Sequence, residues 1–210
     1  MSVQATPGRL VTFEGIDGSG KSTQARLLAD KLRGLNRPVH LTREPGGSPG
    51  AEEIRNLVLT GDTGRWSAET ELLLFTAARR DHLEKTIEPA IARGETVICD
   101  RFADSTRVYQ GATRGDLRGV VDRLHAMIIG REPDLTFIID MDPEVGLRRG
   151  LARAGSEQRF EDFGVAFQET IRHGFLSIAR DNPDRCIVIN GDRSPQEVAA
   201  EIFAHYESRA

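Results

Sequence analysis

One stretch constrains this chain more than any other: Gly15-Ile16-Asp17-Gly18-Ser19-Gly20-Lys21-Ser22-Thr23. It follows a β-rich run, Leu10–Glu14, and opens a helical pattern in which Ala25, Leu28, Ala29 and Leu32 share one face and Gly34 supplies a stop. A G-x-x-x-x-G-K-S loop between a strand and a helix lets backbone N–H groups wrap phosphate oxygens, with the helix N-terminus adding positive potential. Lys21 is then placed to reach β- and γ-phosphates, and the Ser22 hydroxyl to ligate Mg²⁺. Gly15 to Thr23 are therefore the candidate ATP-binding residues.

A loop of this kind needs a parallel sheet behind it, and the rest of the chain supplies one. The runs Val39–Thr42, Thr96–Asp100, Leu135–Asp140 and Cys186–Asn190 are short, rich in aliphatic residues and not strictly alternating. Strands buried on both faces read this way. Between them, Ser67 caps a helical stretch through Leu72, Leu73, Ala77 and Leu83, which Pro89 is expected to kink or restart. Asp142-Pro143 and the capping box Ser194-Pro195-Gln196-Glu197 start two further helices. The expectation is an α/β, three-layer P-loop fold with a five-stranded parallel sheet, formed by residues 1–210 as one domain with ligands at the carboxyl ends of the strands.

Composition narrows the function. A net charge of −4 provides no footprint for nucleic acid, so an anionic substrate needs local positive charge. The apolar runs are too short to span a bilayer and the N-terminus does not read as a signal peptide. Cys99 and Cys186 each sit in an apolar run and read as buried thiols of a cytoplasmic protein. The five histidines show no metal-ligand spacing and read as surface or helix residues.

Local positive charge appears at Arg101, just past the strand Thr96–Asp100, and at Arg55 in the helical stretch Ala51–Leu59. A guanidinium grips phosphate with two parallel hydrogen bonds, while a structural ion pair is the competing reading for each. Phe75 and Arg79 share a helical face, as do Thr106, Tyr109 and Gln110. By periodicity alone, Phe75 among its leucines reads as core. Asp100 is a strand-end acid, with Mg²⁺ organisation and structural hydrogen bonding as alternatives.

The loop at residues 15–23, Thr42-Arg43-Glu44-Pro45-Gly46-Gly47, Asp100-Arg101-Phe102 and Tyr109-Gln110-Gly111 occur in an order that resembles thymidylate kinase. That resemblance implies phosphorylation of dTMP to dTDP by Mg-ATP, a step toward dTTP, by a two-fold homodimer. It implies that Arg101 and Arg55 hold the acceptor phosphate, that Phe75 stacks on thymine, and that Arg79, Thr106 and Gln110 read the base. Tyr109 would lie against the deoxyribose and clash with a 2′-hydroxyl. Glu44 resembles an acid near the sugar and phosphate, and Asp17 one that positions the acceptor-side arginine. The run Arg148 to Asp162, rich in arginine and broken by Gly150 and Gly155, falls where such kinases carry a lid. With Gly18 where some members have an arginine, the chain resembles the bacterial type that draws its arginine from the lid. Arg153 is the first choice, Arg149 the second, with Arg148 and Arg159 as alternatives.

Two other classes compete. A nucleoside kinase acting on a sugar hydroxyl needs a general base and makes less use of paired arginines. A GTP-dependent switch needs an N-K-x-D-type motif, and Asn190-Gly191-Asp192-Arg193 lacks the lysine.

Overall fold

A computed structural model describes residues 8–61, 64–112, 117–151 and 164–209. Five parallel strands, β1 (Arg9–Glu14), β2 (Val39–Arg43), β3 (Thr96–Asp100), β4 (Leu135–Asp140) and β5 (Cys186–Asn190), form one sheet in the order β2-β3-β1-β4-β5. The helices among the described residues are α1 (Lys21–Gly34), α2 (Pro49–Leu59), α3 (Ala68–His82), α4 (Glu88–Ala92), α5 (Ala103–Ala112), α6 (Arg118–Leu124), α7 (Pro143–Leu151), α8 (Gly164–Asp181) and α9 (Pro195–Ser208). None is long and apolar enough to cross a membrane.

The sheet sorts its side chains by face. Val11 and Phe13 of β1 join Leu135, Phe137 and Ile139 of β4 in a core covered by α1 and α9. Leu10, Val97 and Cys99 face the other way, against α4 and the start of α5, while Ile138 packs on α8. Both faces are thus covered, as parallel strands require. The second face also carries Thr12, Glu14 and Thr136, all fully buried, with the Thr12 and Thr136 hydroxyls 2.8 Å apart. A glutamate inside a doubly covered strand must have partners there.

The caps obey the local chemistry. Ser67 accepts from the Thr70 N–H at 3.1 Å, Asp142 Oδ1 from those of Glu144 and Val145, and Ser194 completes its box with Glu197. Three expectations change in detail. The first helix runs through Gly34, and Asn36 is the residue that turns left-handed, at φ 58°. Leu73 and Ala77 face solvent, because α3 buries the stripe through Leu72, Thr76 and Arg79 instead. Ahead of Pro89 the helix widens into a π-helical segment, Leu83–Ile87, where the Glu88 N–H reaches back to Leu83 O. Pro89 lacks the N–H that Lys85 O would take in an α-helix, and the bond from Glu88 reaches one residue further back than an α-helical bond does.

Candidate active site

The cradle loop leaves β1 at Gly15 and enters α1 at Lys21. Gly18 has φ 77°, and a Cβ there would lie 2.0 Å from Gly146 O, so the loop packs directly on α7, the helix that leads to residue 152. Lys21 is buried and donates from Nζ to Ile16 O at 2.7 Å. Burial, helped by Arg101, pushes its pKa down to about 8, against the pull of Asp17 and Asp100. Ser22 is exposed at the helix start. Asp100 Oδ1 is buried with no hydrogen-bond partner among the described residues. An orphaned carboxylate oxygen suits a hard, oxygen-seeking cation.

On the other side of Asp17 opens a cavity of about 210 Å³. Asp17, Glu44, Arg55, Phe75, Arg79, Arg101, Thr106, Tyr109 and Gln110 all line it, so every acceptor-side residue read from the sequence converges on one space. Phe75 is a wall of that cavity and half-buried, which overturns the core reading that periodicity alone favoured.

Arg101 sits at the floor of the cavity in a left-handed backbone conformation, φ 71°, which a non-glycine residue adopts only when its surroundings hold it. Its N–H donates to Phe13 O at 2.9 Å and its carbonyl accepts from the Cys99 thiol. The next N–H, of Phe102, donates to Glu14 Oε1 at 2.7 Å, and the Ser105 hydroxyl donates to Glu14 Oε2 at 2.6 Å. Glu14 therefore anchors the start of α5 and the turn that aims Arg101. Burial, with repulsion from Asp104, raises its carboxyl to about 7 despite these donors. At its tip Arg101 pairs with Asp17 Oδ1, while the Tyr109 hydroxyl donates to Asp17 Oδ2 at 3.1 Å. Burial opposes the Asp17 charge, but Arg101 and Lys21 outweigh it and hold the carboxyl below its usual range. Asp17 thus bridges the phosphate loop and the cavity arginine.

The far end of the cavity is a second network. Arg79 donates from Nε to Glu44 Oε2 at 2.7 Å and from Nη2 to Phe102 O and Thr106 Oγ1, both at 3.0 Å. Thr106 acts here on the arginine. Glu44 also meets His82 Nδ1 at 3.0 Å, and His82 Nε2 lies 2.8 Å from Thr42 Oγ1. Burial works against the Glu44 charge, yet Arg79 and His82 hold its pKa low. Glu44 therefore pairs with Arg79 and His82 at this end of the cavity. Arg55 donates to Pro45 O at 2.5 Å and has further interactions, which ties α2 to the Glu44–Gly47 loop. Gly47, at φ 87°, lies so close to the imidazole that a Cβ would stand 2.3 Å from His82 Nε2.

His82 and His125 are helix residues, as one of the two readings had it, but His82 is fully buried and His125 nearly so. Glu44, His82 and Cys99 also bring potential metal-ligand atoms within 4.8 Å of one another, which no spacing along the chain announces. Each is otherwise committed: Glu44 to Arg79, His82 to Glu44 and Thr42, and the Cys99 thiol to Arg101 O. Burial also pushes that thiol well above its ordinary range, away from thiolate. Glu14, Glu71, His82 and Ser105 went unrecognised in the sequence. The available signal was Glu14 itself, a charge inside a strand otherwise read as buried.

Of the candidate lid arginines, Arg149 lies near the end of α7, exposed, with Nη1 3.7 Å from Met141 Sδ, and Arg148 is exposed beside it. Arg153 and Arg159 lie outside the described residues.

A family model described as thymidylate kinase matches residues 13–202. The chain is 70% identical over 199 residues to the thymidylate kinase of Dinoroseobacter shibae, covering 95% of this chain and 96% of that one. It is 68% identical over 195 residues to that of Ruegeria pomeroyi, covering 93% and 92%. Among solved structures, the crystal structure of thymidylate kinase from Ehrlichia chaffeensis superposes with a TM-score of 0.77 at 38% identity, covering 96% of this chain and 99% of that one.

Proposed function

The chain belongs to the thymidylate kinase family, and from that premise we propose how its own residues move the γ-phosphate of ATP onto dTMP. ATP binds on the loop Gly15–Thr23 and dTMP in the cavity beyond Asp17. The observation that carries this reading is the convergence of the nine residues that the resemblance assigned to the acceptor on one cavity that shares Asp17 with the phosphate loop.

The acceptor phosphate has a second pKa of about 6, so its attacking oxygen is anionic at neutral pH and needs no general base. The obstacle is repulsion between two anions. Lys21 and the loop amides hold the donor phosphates, and Arg101 with Arg55 holds the acceptor. Asp17, locked between Arg101 and Tyr109, keeps Arg101 pointed at the reaction line. A lid arginine, Arg153 first and Arg149 second, neutralises charge on the transferring group, a contribution of roughly 10³–10⁵ in rate in related phosphoryl transfers. Ser22 and Asp100 would hold Mg²⁺, and the orphaned Asp100 oxygen supports that assignment. Bound Mg²⁺ supplies charge neutralisation on the phosphate oxygens. Phe75 stacks on the base, Arg79 and Gln110 read its edge, Glu44 and Thr106 steady Arg79, and the Tyr109 ring excludes a 2′-hydroxyl.

We read residues 1–210 as one kinase domain with its lid at 148–162, working in the cytoplasm, where two buried free thiols stay reduced. We also propose a homodimer. Leu73 on α3 is 57% exposed and Met127 78%, and Arg80 of α3 donates to Ile128 O, so these apolar side chains lie on adjoining elements that a second copy would cover.

An ADP-release assay with Mg-ATP tests the reaction against dTMP, dUMP, dCMP, UMP, AMP, thymidine and no acceptor. Turnover with dTMP, weaker with dUMP and small with the rest, is expected. Turnover only with thymidine, or equal turnover without acceptor, would overturn the reading. Sedimentation of the same preparation should show twice the 23.2 kDa chain mass, and a monomer at assay concentration refutes the dimer.

A further inference from the structure

Gln110, on α5, reaches across to α3. Its Nε2 donates to Glu71 Oε1 at 3.0 Å, and the two side chains are buried, Glu71 completely and Gln110 to 2% exposure. In this contact the carboxylate oxygen accepts and the amide nitrogen donates, which sets the direction in which the Gln110 amide faces. The nitrogen turns to Glu71, and Oε1 is the amide atom left for the cavity that Gln110 lines. Arg79 is committed in the same manner through Nε and Nη2, which leaves Nη1 as its donor for the cavity.

The cavity wall therefore offers one donor, from Arg79, and one acceptor, from Gln110, each oriented by its buried partners. A 4-keto pyrimidine with an N3–H answers both, its O4 accepting from Arg79 and its N3–H donating to Gln110. Cytosine presents the opposite at each position, a 4-amino donor and an N3 acceptor. A site whose buried polar groups are left facing like partners rejects the wrong ligand far more strongly than a mismatch of shape does. Without a fixed partner, a glutamine amide can rotate and turn its nitrogen to an acceptor instead.

We infer that Glu71, which does not itself line the cavity, is a positioning residue for pyrimidine selection: it holds Gln110 with its carbonyl toward the base. The inference rests on the proposal that Gln110 and Arg79 meet the base edge. It goes further by making the selection depend on a carboxylate one layer behind them.

The test is the ratio of kcat/KM for dTMP to that for dCMP in Glu71→Gln, an isosteric change that can face Gln110 with either an oxygen or a nitrogen. That ratio is independent of how much of a preparation is folded. It should fall at least tenfold, with KM for ATP unchanged. If both acceptors lose kcat/KM by the same factor, or the ratio stays at its wild-type value, Glu71 is merely structural and the inference is wrong. Gln110→Ala, measured alongside, separates the two layers. A collapsed ratio in Gln110→Ala with an intact one in Glu71→Gln removes the Glu71 inference alone. An intact ratio in Gln110→Ala removes the base-reading proposal and the inference together.

Discussion

Lys21 shows what burial does to a charge that has a job. Its ammonium bonds to Ile16 O and is held among Asp17, Asp100 and Arg101, with a pKa of about 8 instead of the usual 10.5. Two consequences have opposite signs. Between about pH 8 and 10.5 the unfolded chain binds more protons at this position, so this group alone makes stability rise with pH there. Activity moves the other way, because the free enzyme loses the phosphate-binding charge above pH 8. We expect kcat/KM for ATP to fall about tenfold per pH unit above pH 8. A flat profile to pH 10 would show that Lys21 keeps its proton or does not bind phosphate.

The element that organises the acceptor side is α3. Glu71, Phe75, Arg79 and His82 follow one another at intervals of four, four and three, and so occupy one stripe of the helix. Each meets a different neighbour: Gln110, the cavity, Glu44 with Thr106, and Thr42 with Glu44. One helix thus couples α5 to the loop after β2. Phe75 is the member of the stripe whose side chain faces the cavity without a polar partner. Phe75→Ala should raise KM for dTMP about five- to tenfold, the equivalent of 1–1.4 kcal/mol of lost aromatic contact, and leave KM for ATP within twofold. Equal effects on both substrates would return Phe75 to a packing role.

At the scale of the whole molecule, Glu14 links the central strand, the strained turn at Arg101 and the first turn of α5. Its folded pKa of about 7 lies above the unfolded value of 4.5, so the folded state binds the extra proton. The stability this group contributes is present below pH 4.5 and is lost as pH rises through 7. Glu14→Gln keeps an acceptor for the Phe102 and Ser105 N–H groups and offers an amide to the Ser105 hydroxyl. Its unfolding free energy should show a shallower decline between pH 4.5 and 7 than the wild type, a difference on the order of 2 kcal/mol across the window. Denaturant titrations at pH 5 and pH 8 measure it, and parallel pH profiles for the two proteins would exclude a titrating Glu14.

The strands, the phosphate loop and the capped helix starts were legible along the chain because each depends on near neighbours. A G-x-x-x-x-G-K-S loop needs its own glycines, a cap needs a residue three positions on, and a buried strand is apolar whatever packs on it. Arg101 was visible for a similar reason, since it follows a strand end. The partners of those residues were not visible. Glu14 to Phe102 spans 88 positions, His82 to Glu44 38 and Gln110 to Glu71 39. Periodicity even pointed the wrong way at Phe75, because a helix face becomes core or cavity wall only when another element covers it or leaves it open. Residue types and order determined that this chain builds a phosphate cradle on a parallel sheet. Only the closing of β1, β3, α3 and α5 around one space decided which buried acid holds which reader, because hydrogen bonds between buried groups form where the fold brings donors to acceptors, whatever their separation in sequence.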